Sequence, residues 1–156
     1  MKELLEYREK LLSRFVEAAQ EFCAACESFS DPSTKTEGEW TVHQMAAHVR
    51  DVDRHVYGER IRRTLSEEMP GFRTFDADTW MTEHYNRDES LKKILSEFMA
   101  NVDDLLALLR SMPVEGWSRL SHHDTLGGEP TLQFWVERSL AHIEEHLHVL
   151  KKVEIP

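Results

Sequence analysis

The sequence predicts an all-α four-helix bundle with long crossover loops, and three observations carry that prediction. Six glycines and five prolines are all that punctuate 156 residues, so turns are few and long helices are favoured over many short strands. Four segments repeat apolar residues at helical spacing. Long connections, rather than tight turns, separate the last three of them. A 40% hydrophobic and 31% charged composition is that of a globular chain rather than a disordered one. The length suits one domain over residues 1–156.

In the first segment Leu4, Leu5, Leu11, Leu12, Phe15, Val16, Ala19, Phe22, Cys23 and Cys26 recur on one face. The pattern fades near Phe29, and Ser30-Asp31-Pro32-Ser33 breaks it. Cys23 and Cys26 form C-A-A-C in mid-helix. A redox pair normally sits where a strand meets a helix, and a structural zinc site would need two more thiolates. The two cysteines therefore read as small core residues.

The second segment has the clearest start. Thr41 can cap the helix, and Gln44 three residues on completes a capping box. Trp40 and Met45 are spaced as a hydrophobic staple. The helix continues through Val49, Val52 and Val56 to about Leu65, and Pro70-Gly71 stops it. The third follows Asp88 as cap, runs from Leu91 to Leu109 and closes at Met112-Pro113. The fourth opens around Glu129-Pro130-Thr131 and carries Leu132, Trp135, Val136, Ile143, Leu147 and Leu150. The connection from Gly71 to Arg87 is long enough to hold a short helix near Asp76–His84. The one from Val114 to Glu129, with Gly127-Gly128, reads as a turn-rich loop.

Charge and hydropathy exclude several classes. A net charge of −10 repels phosphate backbones, so nucleic acid is not expected as a partner. The first fifteen residues carry charges throughout and lack the apolar stretch of a secretory signal. The longest aliphatic run, Leu105–Leu109, is far short of a membrane span. The expected setting is cytoplasmic, with no membrane contact.

Nine histidines are many for this length, and their placement decides what they mean. His142 and His146, four apart, share a helical face. Projected at about 100° per residue, they fall on the side of Trp135, Ser139 and Ile143, while Glu144 and Lys151 point away. Two imidazoles entering an apolar core one turn apart are costly unless their nitrogens are satisfied, and one metal ion satisfies both. The bland alternative, a core histidine bonded to a carbonyl, suits a lone histidine better than a pair. A third ligand is offered by His48, in mid-helix at the edge of the face holding Met45, Val49 and Val52. His55 lies roughly 10 Å further along the helix, and His43 projects outward. His84, His122, His123 and His148 fall in loops or on outer faces and are expected to be solvated.

His142-Ile143-Glu144-Glu145-His146 also fits H-x-x-E-H, the inverted zinc-protease signature, with Glu145 as general base. Those enzymes take a carboxylate ligand from well downstream, and none is obvious after His146. Asp51, Glu59 and Glu145 could orient the imidazoles or be ordinary solvated charges. Trp80 and Trp117 could line a pocket mouth or cap the core.

These residues resemble the DinB-like (YfiT-like) metal-binding four-helix bundles. The likeness rests on Trp40-Thr41, Met45, His48-Val49 and Asp51 at the second helix, and on the late His142 and His146. Asp76, Asp78 and Trp80, and Thr131-Leu132 opening the last helix, also fit. The resemblance implies a four-helix bundle with a metal triad that falls here on His48, His142 and His146. Relatives include thiol-dependent transferases and isomerases that use bacillithiol or mycothiol, and they often dimerise through helix faces. Three imidazoles leave coordination positions open for a substrate. Zinc or nickel is the expected ion, and manganese or iron also suits imidazole.

Two functional readings lead from here. The first is a metal-dependent enzyme, a thiol-dependent S-transferase or a hydrolase, acting on a small molecule with or without a low-molecular-weight thiol. The second is a non-catalytic metal-binding bundle whose ion serves stability or a partner interface. Metal affinity is expected to fall as pH drops through about 6.5, the ordinary histidine value.

Overall fold

The computed structural model describes residues 1–36 and 38–153. Helix α1 spans Lys2–Glu27 and buries Leu11, Leu12, Phe15, Ala18, Ala19, Phe22 and Cys26 along one stripe. Its first turn does not reach the core: Leu4 and Leu5 stay exposed. Cys26 is buried and Cys23 partly so, both as free thiols. Burial pushes the Cys23 thiol up to about 12, and Cys26 upward too, so neither offers a thiolate near neutral pH.

The loop after α1 builds the entry to the next helix. The Pro32 and Thr34 carbonyls accept from His43 and Val42 N–H at 2.9 Å each. Gln44 N–H donates to Thr41 Oγ1 at 3.1 Å, and the Gln44 side chain accepts from Thr41 N–H at 2.9 Å. The first-turn donors that a helix cannot satisfy internally are thereby filled.

The second rod has three parts: α2 (Val42–Val52), a π-helical turn (Asp53–Gly58) and α3 (Glu59–Ser66). Gly58 permits the wide turn, because a Cβ there would stand 2.4 Å from the Asp53 carbonyl oxygen. The extra residue also rotates everything beyond it relative to a straight helix. Such insertions are frequent at functional sites.

Helix α4 covers Ala77–His84, capped by Asp76, whose carboxylate accepts from Thr79 N–H at 3.1 Å. Helix α5 runs Leu91–Ser111. Its cap is Ser90, accepting from Lys93 N–H at 3.1 Å, and not Asp88. Both residues are good capping types, and the chain turns at Asn86–Glu89 before the helix begins. A 3₁₀ turn (Val114–Ser118) follows, then α6 (Leu132–Lys151) under a Thr131 cap.

The two long connections are more ordered than plain loops. Strand β1 (Gly71–Phe72) pairs in parallel with β2 (His122–His123), a small exception to an otherwise all-α fold. Asp124 reinforces the pairing by accepting from Thr74 N–H at 2.9 Å.

Helix α1 packs on α6 and α5, and the second rod packs on α5 and α6. Trp135, Phe15, Phe22 and Phe98 are fully buried, with Phe22 and Phe98 edge to face at 5.7 Å. Each such ring contributes about 2–3 kcal/mol through burial. Among the described residues no helix is long and apolar enough to cross a membrane.

Candidate metal centre

The capping box fixes where α2 begins, and so which side of it His48 occupies. Helix α6 carries His142 and His146 on its core side, facing α2. Across that seam His48 Nε2 lies 3.1 Å from His142 Nε2, and His142 Nε2 lies 3.1 Å from His146 Nε2. Ligand atoms of all three fall within 4.8 Å of one another. The three positions singled out from spacing are the three that meet.

Burial holds these imidazoles neutral. Desolvation, then the His146 charge, lowers His48 to about 3. Desolvation, then the charges of His146, His48 and Arg138, lowers His142 to about 2. Burial also lowers His146, against the opposing pull of Glu145. Three neutral rings aiming Nε2 at one point cannot all be satisfied by each other, since each shared contact needs one donor and one acceptor. A divalent ion accepts all three lone pairs at once, so the donor set fits one. His146 Nδ1 is buried and finds no hydrogen-bond partner among the described residues.

Aromatic rings surround the cluster. Trp40 stands 4.5 Å from His48, and Tyr57, on the π turn, stands 5.7 Å from His142. A cavity of about 280 Å³ opens beside His48 and His142, with Tyr57, Arg60, Trp135 and Arg138 in its wall. A second hollow of about 430 Å³ borders His146 from the other side, between Trp40, Met45 and Val149.

None of the three suggested orienting carboxylates bonds an imidazole among the described residues. Asp51 instead pairs with Arg50 Nε at 2.9 Å and accepts from Trp80 Nε1 at 3.0 Å, which holds α4 against α2. Glu59 and Glu145 are exposed. Trp117 is a core residue, buried beneath Arg8 at 5.3 Å, and not part of a pocket mouth.

Two histidine placements differ from expectation. His43, expected to point outward, is buried, with Nδ1 2.5 Å from Tyr85 Oη and Nε2 2.6 Å from the Glu89 carbonyl. It does face away from the bundle core, but the connection before α5 folds over it. His123, expected in solvent, has a side chain only 6% exposed and stands 5.9 Å from Trp135 in the cavity wall. His55 lies outside the cluster, 4.9 Å from Trp80.

Three further residues carried no sequence signal. Asp53 is fully buried, accepting from Asn101 Nδ2 at 2.7 Å and Ser139 Oγ at 3.1 Å. Burial, partly offset by those bonds, raises it to about 6. Arg60 lies buried over the Trp135 ring at 4.7 Å, and Arg138 reaches the same cavity from α6. Beyond the π turn a regular helical projection no longer predicts which side chains face inward.

The sequence model of the DinB superfamily matches residues 6–150. The chain is also similar in structure to YfiT from Bacillus subtilis, described as a probable metal-dependent hydrolase with an unusual four-helix bundle topology. The TM-score is 0.82 at 22% identity, covering 94% of this chain and 85% of YfiT. No curated protein sequence matches the chain.

Proposed function

The chain belongs to the DinB superfamily, and we propose that it is a divalent-metal-dependent enzyme, of hydrolase or thiol S-transferase type, whose ion is held by His48, His142 and His146. One observation carries this reading: three neutral imidazoles from two helices, with ligand atoms within 4.8 Å of one another beside a cavity. The likeness to YfiT adds support for the hydrolase branch.

A bound ion would supply Lewis-acid chemistry and lower the pKa of a water or thiol brought to it. The chain's own residues do the rest. Because the imidazoles are already neutral, their lone pairs are available without releasing protons. Trp40 packs its ring against His48 and shields that side of the cluster. Tyr57 lines the cavity beside His142, where its hydroxyl would be the donor for a substrate oxygen. Zinc or nickel suits this donor set first, with manganese and iron as the other choices.

Elemental analysis of untagged protein beside His142→Ala tests the site. About one equivalent of metal in the parent and little in the variant is expected; no uptake of added zinc or nickel by either would end the proposal. Ester hydrolysis and thiol transfer to an electrophile are then measured on the loaded protein.

The seam position of the cluster favours a second reading, in which the ion cross-links α2 and α6 without catalysing anything. Metal removal would then lower the melting temperature while no ester or electrophile is ever turned over.

A further inference from the structure

Arg60 and Arg138 share the wall of the cavity beside His48 and His142, in a chain that carries 29 acidic and 19 basic side chains. Carboxylates hold Arg14 through Glu21 at 3.1 Å, Arg50 through Glu89 at 2.8 Å and Arg63 through Glu67 at 2.7 Å. Among the described residues, Arg60 and Arg138 form no such pair. Arg60 is nevertheless buried, and its guanidinium makes one hydrogen bond, to the Arg73 carbonyl at 3.0 Å. The aromatic stack on Trp135 partly compensates its desolvation. Glu59 and Asp124 act on it only at a distance, and Asp124 is occupied by Thr74.

A guanidinium in a cavity wall with no carboxylate against it is a ready partner for an anion that enters. Both arginines line the cavity that holds His48 and His142, and they repel one another, which lowers Arg60 further. The remaining wall mixes the aromatic rings of Phe75 and Tyr57 and the Thr74 hydroxyl with aliphatic side chains such as Val52 and Leu126. At about 280 Å³ the space lies just below the range of about 300–1,000 Å³ usual for ligand pockets, so its occupant is small.

We propose that this cavity binds a small molecule bearing a carboxylate, with the carboxylate held by Arg60 and Arg138, its flat apolar body against Phe75 and Tyr57, and its reacting end toward His48 and His142. The inference rests on the three histidines forming the reactive centre. The carboxylate belongs either to the substrate itself or to a thiol that joins it, and the chemistry recognised is the same.

The test is calorimetric binding to the metal-loaded protein, with benzoate against neutral benzamide and N-acetylcysteine against its amide. At least one acid is expected to bind saturably, about tenfold or more tighter than its amide. Arg138→Gln, at an exposed position, should weaken that binding about tenfold, and Arg60→Lys should do the same with the circular dichroism spectrum unchanged. Arginine-dependent binding of benzoate places the carboxylate on the substrate; the same for N-acetylcysteine alone places it on the thiol.

Equal binding of acid and amide, or indifference to Arg138→Gln, would overturn the inference. So would binding that survives Arg138→Gln but disappears on chelation, because the carboxylate would then sit on the ion. Arginine-dependent binding in a protein that takes up no metal would support the clamp while removing the metal reading.

Discussion

His48 and His142 bring their Nε2 atoms to 3.1 Å although 94 residues separate them in the chain. The closeness is a product of the α2–α6 seam, and His146 joins it from one turn further along. Replacing His48, His142 or His146 by alanine should each reduce metal affinity by more than the 10–100-fold typical of residues that merely support a ligand. His123→Ala, in the wall of the same cavity, should leave metal uptake within a fewfold of the parent. Chelator competition measures all four, and a loss at His123 as large as that at His142 would refute the triad.

The pH window of metal binding moves with burial. An exposed three-histidine site would loosen as pH falls through about 6.5. Here the folded imidazoles lie well below that value, at about 3 for His48 and about 2 for His142. Affinity of the folded protein should therefore stay level from pH 8 to 6.5 and decline only in more acid solution. The metal-free protein behaves in a linked way. Its unfolded chain binds protons below about 6.5 that the fold refuses, so stability contributed by neutral burial is full above 6.5 and is lost as pH falls. Chelator competition at pH 8, 6.5 and 5.5, with melting curves of the metal-free protein, checks both. A steep loss of affinity already between pH 7 and 6.5 would count against a buried site.

The three clustered histidines were legible in the sequence for a physical reason. A polar side chain on the buried face of a regular helix interrupts an apolar period, and His48, His142 and His146 each do so. His43 is different, because what buries it is not its own helix but the segment Tyr85–Glu89. Helical periodicity reports which face meets the bundle and cannot report which outer face a loop will cover. Arg60 and Asp53 escaped for another reason: one acid or one arginine in a charge-rich helix does not announce its own burial. The π turn at Asp53–Gly58 inserts a residue's worth of rotation, so Glu59, which a straight projection puts on the side of His48, is exposed instead. The four long helices were predictable from their apolar period and the short one from the length of its connection, whereas the β1–β2 pairing joins two short segments too brief to carry any pattern.

Asp53 supplies a stability change of opposite sign to that of the histidines. Its carboxyl rises from 3.8 to about 6, mainly through burial. The folded state thus keeps a proton that the unfolded chain gives up above 3.8. That contribution is full below 3.8, declines as pH rises and is gone above about 6. At pH 8 the fold must accommodate a buried carboxylate, at a relative disadvantage on the order of 2–3 kcal/mol. Asp53→Asn keeps an acceptor for Asn101 and offers its amide to the Ser139 hydroxyl, which can accept. The variant should melt higher than the parent at pH 8 and no higher at pH 5. Equal melting temperatures at both pH values would show that Asp53 carries no such burden.

His43 should prove structural rather than chemical. One tautomer satisfies both of its contacts: Tyr85 Oη–H donates to Nδ1, and Nε2–H donates to the Glu89 carbonyl. Arg50 ties the same segment down through Glu89 at 2.8 Å, so the connection before α5 is fastened to α2 at two points. His43→Ala leaves the hydroxyl and the carbonyl without a partner, which costs about 1–3 kcal/mol. At about 2–4 °C per kcal/mol for a chain of this size, the melting temperature should fall by several degrees. His55→Ala, on the exposed side of the same rod, should change stability by less than about 0.5 kcal/mol. Metal uptake should be unchanged in both, because neither imidazole belongs to the cluster. Loss of metal in His43→Ala without loss of stability would mean that the clasp positions His48 rather than the loop, and thermal melting read beside metal content separates the two.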